Sequence, residues 1–217
     1  LDEGYEIHTV RGRGYRLVTP VDLLDADTIL RELAEPTRNR IALTVLDEVD
    51  STNTEVLRQI SKGATGVPVA IADSQTKGRG RRGRPWRSPP NDIFLPGGKL
   101  GGILVELQGE LQEGVVRVIA GVGINVHMSR ADDVDQPWVS LAQVASQTDW
   151  SRNQIASALI NALIESTEIF AEKGFGFFQA SWQARDMFKG RHLVAQGGDV
   201  VGVGCGVDEQ GNYLVER

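Results

Sequence analysis

The chain has a single cysteine, Cys205, so no internal disulfide can form, and that scarcity suits a reducing, cytoplasmic setting. Set among Val203, Gly204 and Gly206, the residue reads as a buried small hydrophobe rather than a reactive thiol. The three histidines, His8, His127 and His192, are far apart. They lack metal-ligand spacing, so no protein metal site is read. No apolar run approaches the roughly eighteen residues of a membrane span, and no signal peptide is visible. Positive charge is not in excess: 23 Lys and Arg stand against 29 Asp and Glu, net −6, so no general basic field covers the surface. What is present, 217 residues at 41% hydrophobic content, is enough to bury a core, as one large domain or one plus a small module.

Against that acidic background one stretch is densely cationic. Asp73 to Ser88 reads DSQTKGRGRRGRPWRS, where Arg79, Arg81, Arg82 and Arg84 alternate with Gly78, Gly80 and Gly83, and Trp86 follows. Glycine lets the backbone turn through positive φ and lets a ligand approach the main chain. Arginine adds a permanent charge and a fork of donors matched to carboxylate and phosphate. The pattern predicts a flexible loop that closes over a small anion. A nucleic-acid tail and a solvated turn are the competing readings.

Tyr5 to Val10 and Tyr15 to Val18, joined by Arg11-Gly12-Arg13-Gly14, predict a β-hairpin. An isolated hairpin is marginal in water, so a segment before Leu1 is expected. Asp25 to Ala34 reads as a helix capped by Asp25 or Asp27, and Ile41 to Leu46 as a strand. At Asp47 to Gly63, Thr52 and Glu55 fit a capping box on a helix carrying Val56, Leu57 and Ile60. Ser51, Thr52 and Asn53 then stand at a strand-to-helix turn, where plain capping is the simplest role. Val67 to Ala72 is a strand leading to Gln75. Gly101 to Leu107 and Val115 to Ala120 pair as a hairpin. Gly121-Val122-Gly123-Ile124-Asn125 does not precede a helix, which excludes a dinucleotide fingerprint. Ser151 and Gln154 cap a long helix that Gly174 stops, with Ile155, Leu159, Leu163 and Phe170 on one face. A helix over about Phe177 to Met187 follows. Leu193 to Ala195, Val200 to Val207 and Tyr213 to Val215 form a small β module.

Several of these stretches together resemble the biotin protein ligases, in particular the bifunctional form that is also the biotin operon repressor. The residues that carry the resemblance are Asp50-Ser51-Thr52-Asn53, Gln75, the GRGRRGR run with Trp86, Pro90-Asn91-Asp92, Lys99-Leu100-Gly101-Gly102-Ile103-Leu104-Val105-Glu106 and Gly121 to Asn125. It implies an α+β fold: a mixed sheet with helices like a class II synthetase, over residues 20–187. Residues 1–19 would be the wing left from a winged helix-turn-helix, and residues 188–217 an incomplete SH3-like β module. The family carries a strand, a long helix and a further strand between the positions of Pro89 and Pro90. Their absence leads to the expectation that this sequence joins segments of a longer chain.

The implied reaction activates biotin with ATP and Mg²⁺ to biotinyl-5′-adenylate, then transfers biotin to a lysine of a carboxylase's biotin carboxyl carrier domain. Carried over by the resemblance, Ser51, Thr52, Asn53 and Gln75 meet the ureido end of biotin. Arg79, Gly80 and Arg81 lie along biotin and the adenylate phosphate, with Arg81 retaining the intermediate. Lys99 reaches the joining carboxylate and phosphate and, with Arg81, is the catalytic candidate. Asn91, Asp92, Asn125 and Trp138 serve the nucleotide. Operator DNA is an implied partner of the full-length repressor, a homodimer is possible, and no membrane is involved. The alternatives are a lipoate or octanoate ligase, a non-enzymatic DNA-binding regulator that senses a small anion, and an Arg-Gly loop that binds RNA.

Overall fold

The computed structural model describes residues 7–17, 22–78, 92–109, 116–129, 136–194 and 201–217. The chain divides into two compact units, Leu1–Leu159 and Ile160–Arg217. In the first, β1 (Ile7–Val10) and β2 (Gly14–Leu17) form the expected antiparallel hairpin, with Val10 opposite Gly14. Helix α1 (Ala26–Glu32) begins at Asp25, whose carboxylate takes the Thr28 N–H at 2.8 Å and the Thr28 hydroxyl at 2.6 Å. Those two bonds hold the Asp25 carboxyl below its usual range. The apolar stripe of α1 buries Ile29 and Leu33. A short helix that the sequence reading did not foresee, α2 (Glu35–Arg38), follows, with Pro36 in its first turn.

Branched residues then build two parallel strands around a crossover helix. β3 (Ile41–Val49) pairs with β4 (Val67–Gln75), from Ile41 opposite Val67 to Val49 opposite Gln75. α3 (Thr52–Ser61) connects them and rests on β4 and on β7. Gln59 of α3 donates to the Thr44 hydroxyl of β3 at 3.1 Å. Both strands run farther than the sequence suggested, and the pairing continues as Thr76 N–H to Val49 carbonyl and Lys77 N–H to Asp50 carbonyl.

A second, antiparallel sheet follows: β5 (Asp92–Leu95), β6 (Gly98–Gln108) and β7 (Arg117–Ile124), in that spatial order. The glycines Gly121 and Gly123 lie inside β7, as expected of a pattern that precedes no helix. Helix α4 (Leu141–Val144), also unforeseen, starts where the Ser140 N–H meets the Gln143 side chain at 2.9 Å. Leu100, Ile119, Val126 and Val139 are buried in this unit.

The long helix α5 (Arg152–Lys173) begins after Ser151 and ends at Gly174, as the sequence indicated. Its first turn anchors the segment ahead of α1. The Arg152 N–H reaches Asp22 at 2.6 Å and its guanidinium reaches Asp73 at 2.6 Å, while Asn153 exchanges bonds of 2.8 Å with Asp25 and Leu23.

The second unit contains the remainder of α5, then α6 (Gly176–Gln183) and a three-stranded antiparallel sheet of β8 (His192–Val194), β9 (Val201–Val207) and β10 (Tyr213–Glu216). Gln179 and Gln183 both donate to the Val207 carbonyl, tying α6 to β9. The Tyr213 hydroxyl donates to Asp186 at 2.9 Å, and burial, then that bond, push it up to about 12. Cys205 corrects the reading of a buried thiol: it is exposed. Alternation along β9 turns Gly204 and Gly206 inward, and the one side chain between them goes out.

Candidate active site

The turn between β3 and α3 lacks the side-chain cap that the sequence predicts. Ser51 is the residue before the helix, and it makes no side-chain cap bond. Thr52, expected as the cap, is the first helical residue. Its N–H and its hydroxyl both donate to Gln75 Oε1, at 2.9 and 3.2 Å. The capping-box partner Glu55 instead faces Arg58 and Gln59 along the helix, at 3.3 and 3.4 Å. The turn is held from outside by Asp50. Its carboxylate takes both arms of the Arg58 guanidinium, at 2.9 and 2.5 Å, and the Ser51 N–H at 2.8 Å. The Arg58 fork, then that N–H, bring the Asp50 carboxyl down to about 2. Ser51 and Asn53 are 4% and 8% exposed. Three small polar side chains and Gln75 are thereby gathered where the parallel pair ends.

The other sheet presents a different chemistry. Lys99, the second residue of β6, sends Nζ to Asp92 Oδ1 at 2.7 Å, and the two side chains are only 3% and 5% exposed. Burying two charges is costly unless they are paired and further hydrogen-bonded. The second oxygen, Asp92 Oδ2, is buried with no hydrogen-bond partner among the described residues. An orphaned buried carboxylate oxygen is a position that wants a donor or a cation.

The backbone of Lys99 is locked from both sides. β5 lies along one edge, and the Pro137–Val139 segment lies along the other, with Lys99 N–H to Pro137 carbonyl at 3.0 Å and Val139 N–H to Lys99 carbonyl at 2.9 Å. That places Trp138 beside Lys99 as an isolated parallel bridge. Gly98 makes this approach possible, since a Cβ there would come within 2.6 Å of the Pro137 and Trp138 backbone. Asn125 is buried, and its Nδ2 donates to the carbonyls of Lys99 and Val139, at 3.3 and 3.1 Å. Its amide nitrogen therefore braces the strand that carries the lysine.

A side-chain hydrogen bond joins α3 to β6. Asn53 Nδ2 donates to Glu106 Oε2 at 2.7 Å. Glu106 closes the Lys99–Glu106 motif, and the sequence alone assigns it no role. Its signal was an acidic residue flanked by Val105 and Leu107 in the apolar stretch from Ile103 to Leu107. Arg58, which clamps Asp50, was missed as well. Of the predicted site residues, Ser51, Thr52, Asn53 and Gln75 stand together, and Lys99, Asp92, Asn125 and Trp138 form a second group. Arg79, Gly80, Arg81 and Asn91 lie outside the described residues.

The chain is 31% identical to the bifunctional ligase/repressor BirA of Escherichia coli K12, in a match that takes in 100% of this chain and 80% of that protein. This chain belongs to the biotin protein ligase family. Among further ligase relatives, it is 28% identical to the biotin–[acetyl-CoA-carboxylase] ligase of Mycobacterium tuberculosis, over 80% of this chain and 83% of the relative. The fold matches the solved structure of the biotin protein ligase from Aquifex aeolicus in complex with biotin and ATP. The TM-score is 0.66 at 23% identity, covering 80% of this chain and 90% of that one. No protein-family model matches the chain. The match to the E. coli ligase runs over 267 positions, more than the 217 residues of this chain. The relative thus carries residues inside the matched span that this ligase sequence lacks.

Proposed function

We propose that this biotin protein ligase works by holding the neutral ureido end of biotin at the Ser51–Asn53 turn while Lys99 activates the carboxylate end. The observation that carries the reading is the buried Lys99–Asp92 pair, a fixed positive charge with an orphaned oxygen beside it. Two anions, a carboxylate and a triphosphate, must be brought into contact. A pre-placed ammonium in a water-poor site is worth far more there than in solution. An oxygen of the biotin carboxylate attacks the α-phosphorus of ATP, the bond to the β-phosphate breaks, and pyrophosphate leaves. The lysine amine of a carrier domain then attacks the acyl carbon, and AMP leaves as the bond to its phosphate oxygen breaks. Lys99 stabilises the oxygens that crowd together in the first step. Arg79 and Arg81 would supply further charge and retain the adenylate, and Trp138 would border the adenine.

The donor set fits a nucleotide-borne Mg²⁺: the buried Asp92 Oδ2 offers one carboxylate oxygen. Mg²⁺ commonly binds through one or two carboxylates plus substrate phosphates, and when bound it neutralises phosphate charge.

The β1–β2 hairpin is read as the wing of a DNA-binding domain in the full-length protein, which would repress transcription as a dimer. The relatives' name, ligase/repressor, supports that assignment, and the hairpin carries three arginines, Arg11, Arg13 and Arg16. The sheet of the second unit is read as the SH3-like module. The residues absent from the matched span are assigned between Pro89 and Pro90. In support, the outward alternation of Ile103, Val105 and Leu107 on β6 with Val118 on β7 leaves an exposed apolar face, and a family helix inserted there would cover it. Among the described residues no helix is long and apolar enough to cross a membrane.

The test is biotin-dependent exchange of pyrophosphate into ATP by the purified full-length protein, with lipoate and octanoate alongside and its intact mass recorded. Exchange with biotin alone is expected, at a mass above 23.6 kDa. Exchange with lipoate instead would move the chain to that substrate, and a mass equal to this sequence would remove the inserted segment.

A further inference from the structure

We infer that Glu106 and Gly121 are positioning residues for biotin recognition, acting together on the side-chain amide of Asn53. This rests on the reading of the Ser51–Asn53 turn as the ureido site and deepens it. Asn53 is 8% exposed, and its Nδ2 is held by Glu106 Oε2 at 2.7 Å. On the other side, a Cβ built on Gly121 would stand 2.5 Å from Asn53 Oδ1 and 3.2 Å from its Cγ. The amide therefore lies against the bare Cα of Gly121, in a slot that only glycine leaves open. β6 grips the nitrogen and β7 shapes the space for the oxygen, so the amide cannot rotate without losing one contact or striking the other.

The consequence is a defined hydrogen-bonding face. Gln75 Oε1 accepts twice from Thr52, which fills its two lone pairs and leaves the Gln75 NH₂ as the part able to serve a ligand. With its nitrogen turned to Glu106, Asn53 has its carbonyl oxygen as the acceptor to offer. A cyclic urea carries one acceptor and two N–H donors. A donor from Gln75 and an acceptor from Asn53 complement it, whereas the dithiolane of lipoate has no N–H to give. Glu106 holds the acceptor half of that pair in the right orientation without touching the substrate. It also fixes the turn that reads the ureido ring to the strand that carries Lys99.

The experiment measures KM for biotin and for ATP in pyrophosphate exchange, using the full-length protein and its Glu106→Ala, Glu106→Gln, Gly121→Ala and Asn53→Ala variants. Thermal melts check folding. Glu106→Ala should raise the biotin KM about tenfold, the size expected for losing a hydrogen bond to a charged group, with the ATP KM within about twofold. Glu106→Gln, whose Oε1 can still accept from Asn53, should restore most of the loss. Gly121→Ala should raise the biotin KM comparably from the opposite side, and it carries the test if Glu106→Ala does not fold. Glu106→Ala added to Asn53→Ala should cost nothing further, since the two act as a unit. A wild-type biotin KM in Glu106→Ala or Gly121→Ala, an equal effect on both substrates, or additivity with Asn53→Ala would overturn the inference. Loss of biotin-dependent exchange in the wild type would instead overturn the ligase reading beneath it.

Discussion

The two halves of the site are built on opposite principles. At the β3–α3 turn the polar groups are mostly neutral, and Thr52 and Gln75 meet through ordinary hydrogen bonds. At the start of β6 the groups are ionisable, paired at 2.7 Å and almost wholly buried. On the function proposed above, the difference follows from what each half would meet. A neutral ring is read by amides and hydroxyls, where each net bond is worth about 1 kcal/mol. Anions approaching one another need charge, and charge is effective only where water is excluded. The neutral half can therefore be eroded a little at a time, while the charged half should fail all at once.

The sharpest way to break the comparison is Lys99→Ala. It should lower kcat in pyrophosphate exchange by about 10²–10³, and it should destabilise the fold by about 3–5 kcal/mol by leaving Asp92 buried without its partner. A variant that melts like the wild type would show that water reaches the pair. Asp92→Asn comes next. It keeps the volume but removes the carboxylate, so the ATP KM and the Mg²⁺ concentration for half-maximal rate should both rise about tenfold, by analogy with other metal-supporting groups. An unchanged Mg²⁺ dependence would take Asp92 out of nucleotide binding.

In the neutral half, Gln75→Ala should raise the biotin KM about two- to tenfold with kcat nearly unchanged, the signature of lost uniform binding. A fall in kcat with KM intact would erase the contrast between the halves. The smallest effect concerns Asp50, whose carboxyl is held down to about 2 by the Arg58 fork. A depressed carboxyl contributes stability in full above its ordinary value of 3.8 and loses it as pH falls through about 2. Asp50→Asn should therefore melt slightly below the wild type at pH 7, and the gap should close on acidification from about 4 to 2. A gap that persists at pH 2 would mean the asparagine disturbs the turn by its shape.

Much of the molecule was legible along the chain. Branched runs marked β3 and β4, a buried-looking apolar run marked β6, and Ser151 with Gly174 bracketed α5, because these signals act over a few residues. The same locality explains the misses. Thr52 looked like a cap because Glu55 stands three residues on. In the fold its hydroxyl goes to Gln75, 23 residues away in sequence, and the helix starts one position earlier relative to the expected cap. The short helices α2 and α4 have too few residues for a periodicity to show. Cys205 looked apolar by its neighbours, but strand alternation turned it outward.

By itself the sequence determined the family, through motifs whose order and company chance does not supply, and with it the kind of chemistry. It also determined which residue types could serve, since small hydroxyls, amides and one lysine stand in recognisable runs. Only the tertiary structure decided how they are used. It buried Lys99 against Asp92, spent the Asn125 nitrogen on bracing the lysine's strand, and set Asn53 between Glu106 and Gly121. Each of these depends on side chains brought together from separate strands and helices, and a hydrogen bond or a missing Cβ acts over a few ångströms of space, whatever the distance along the chain.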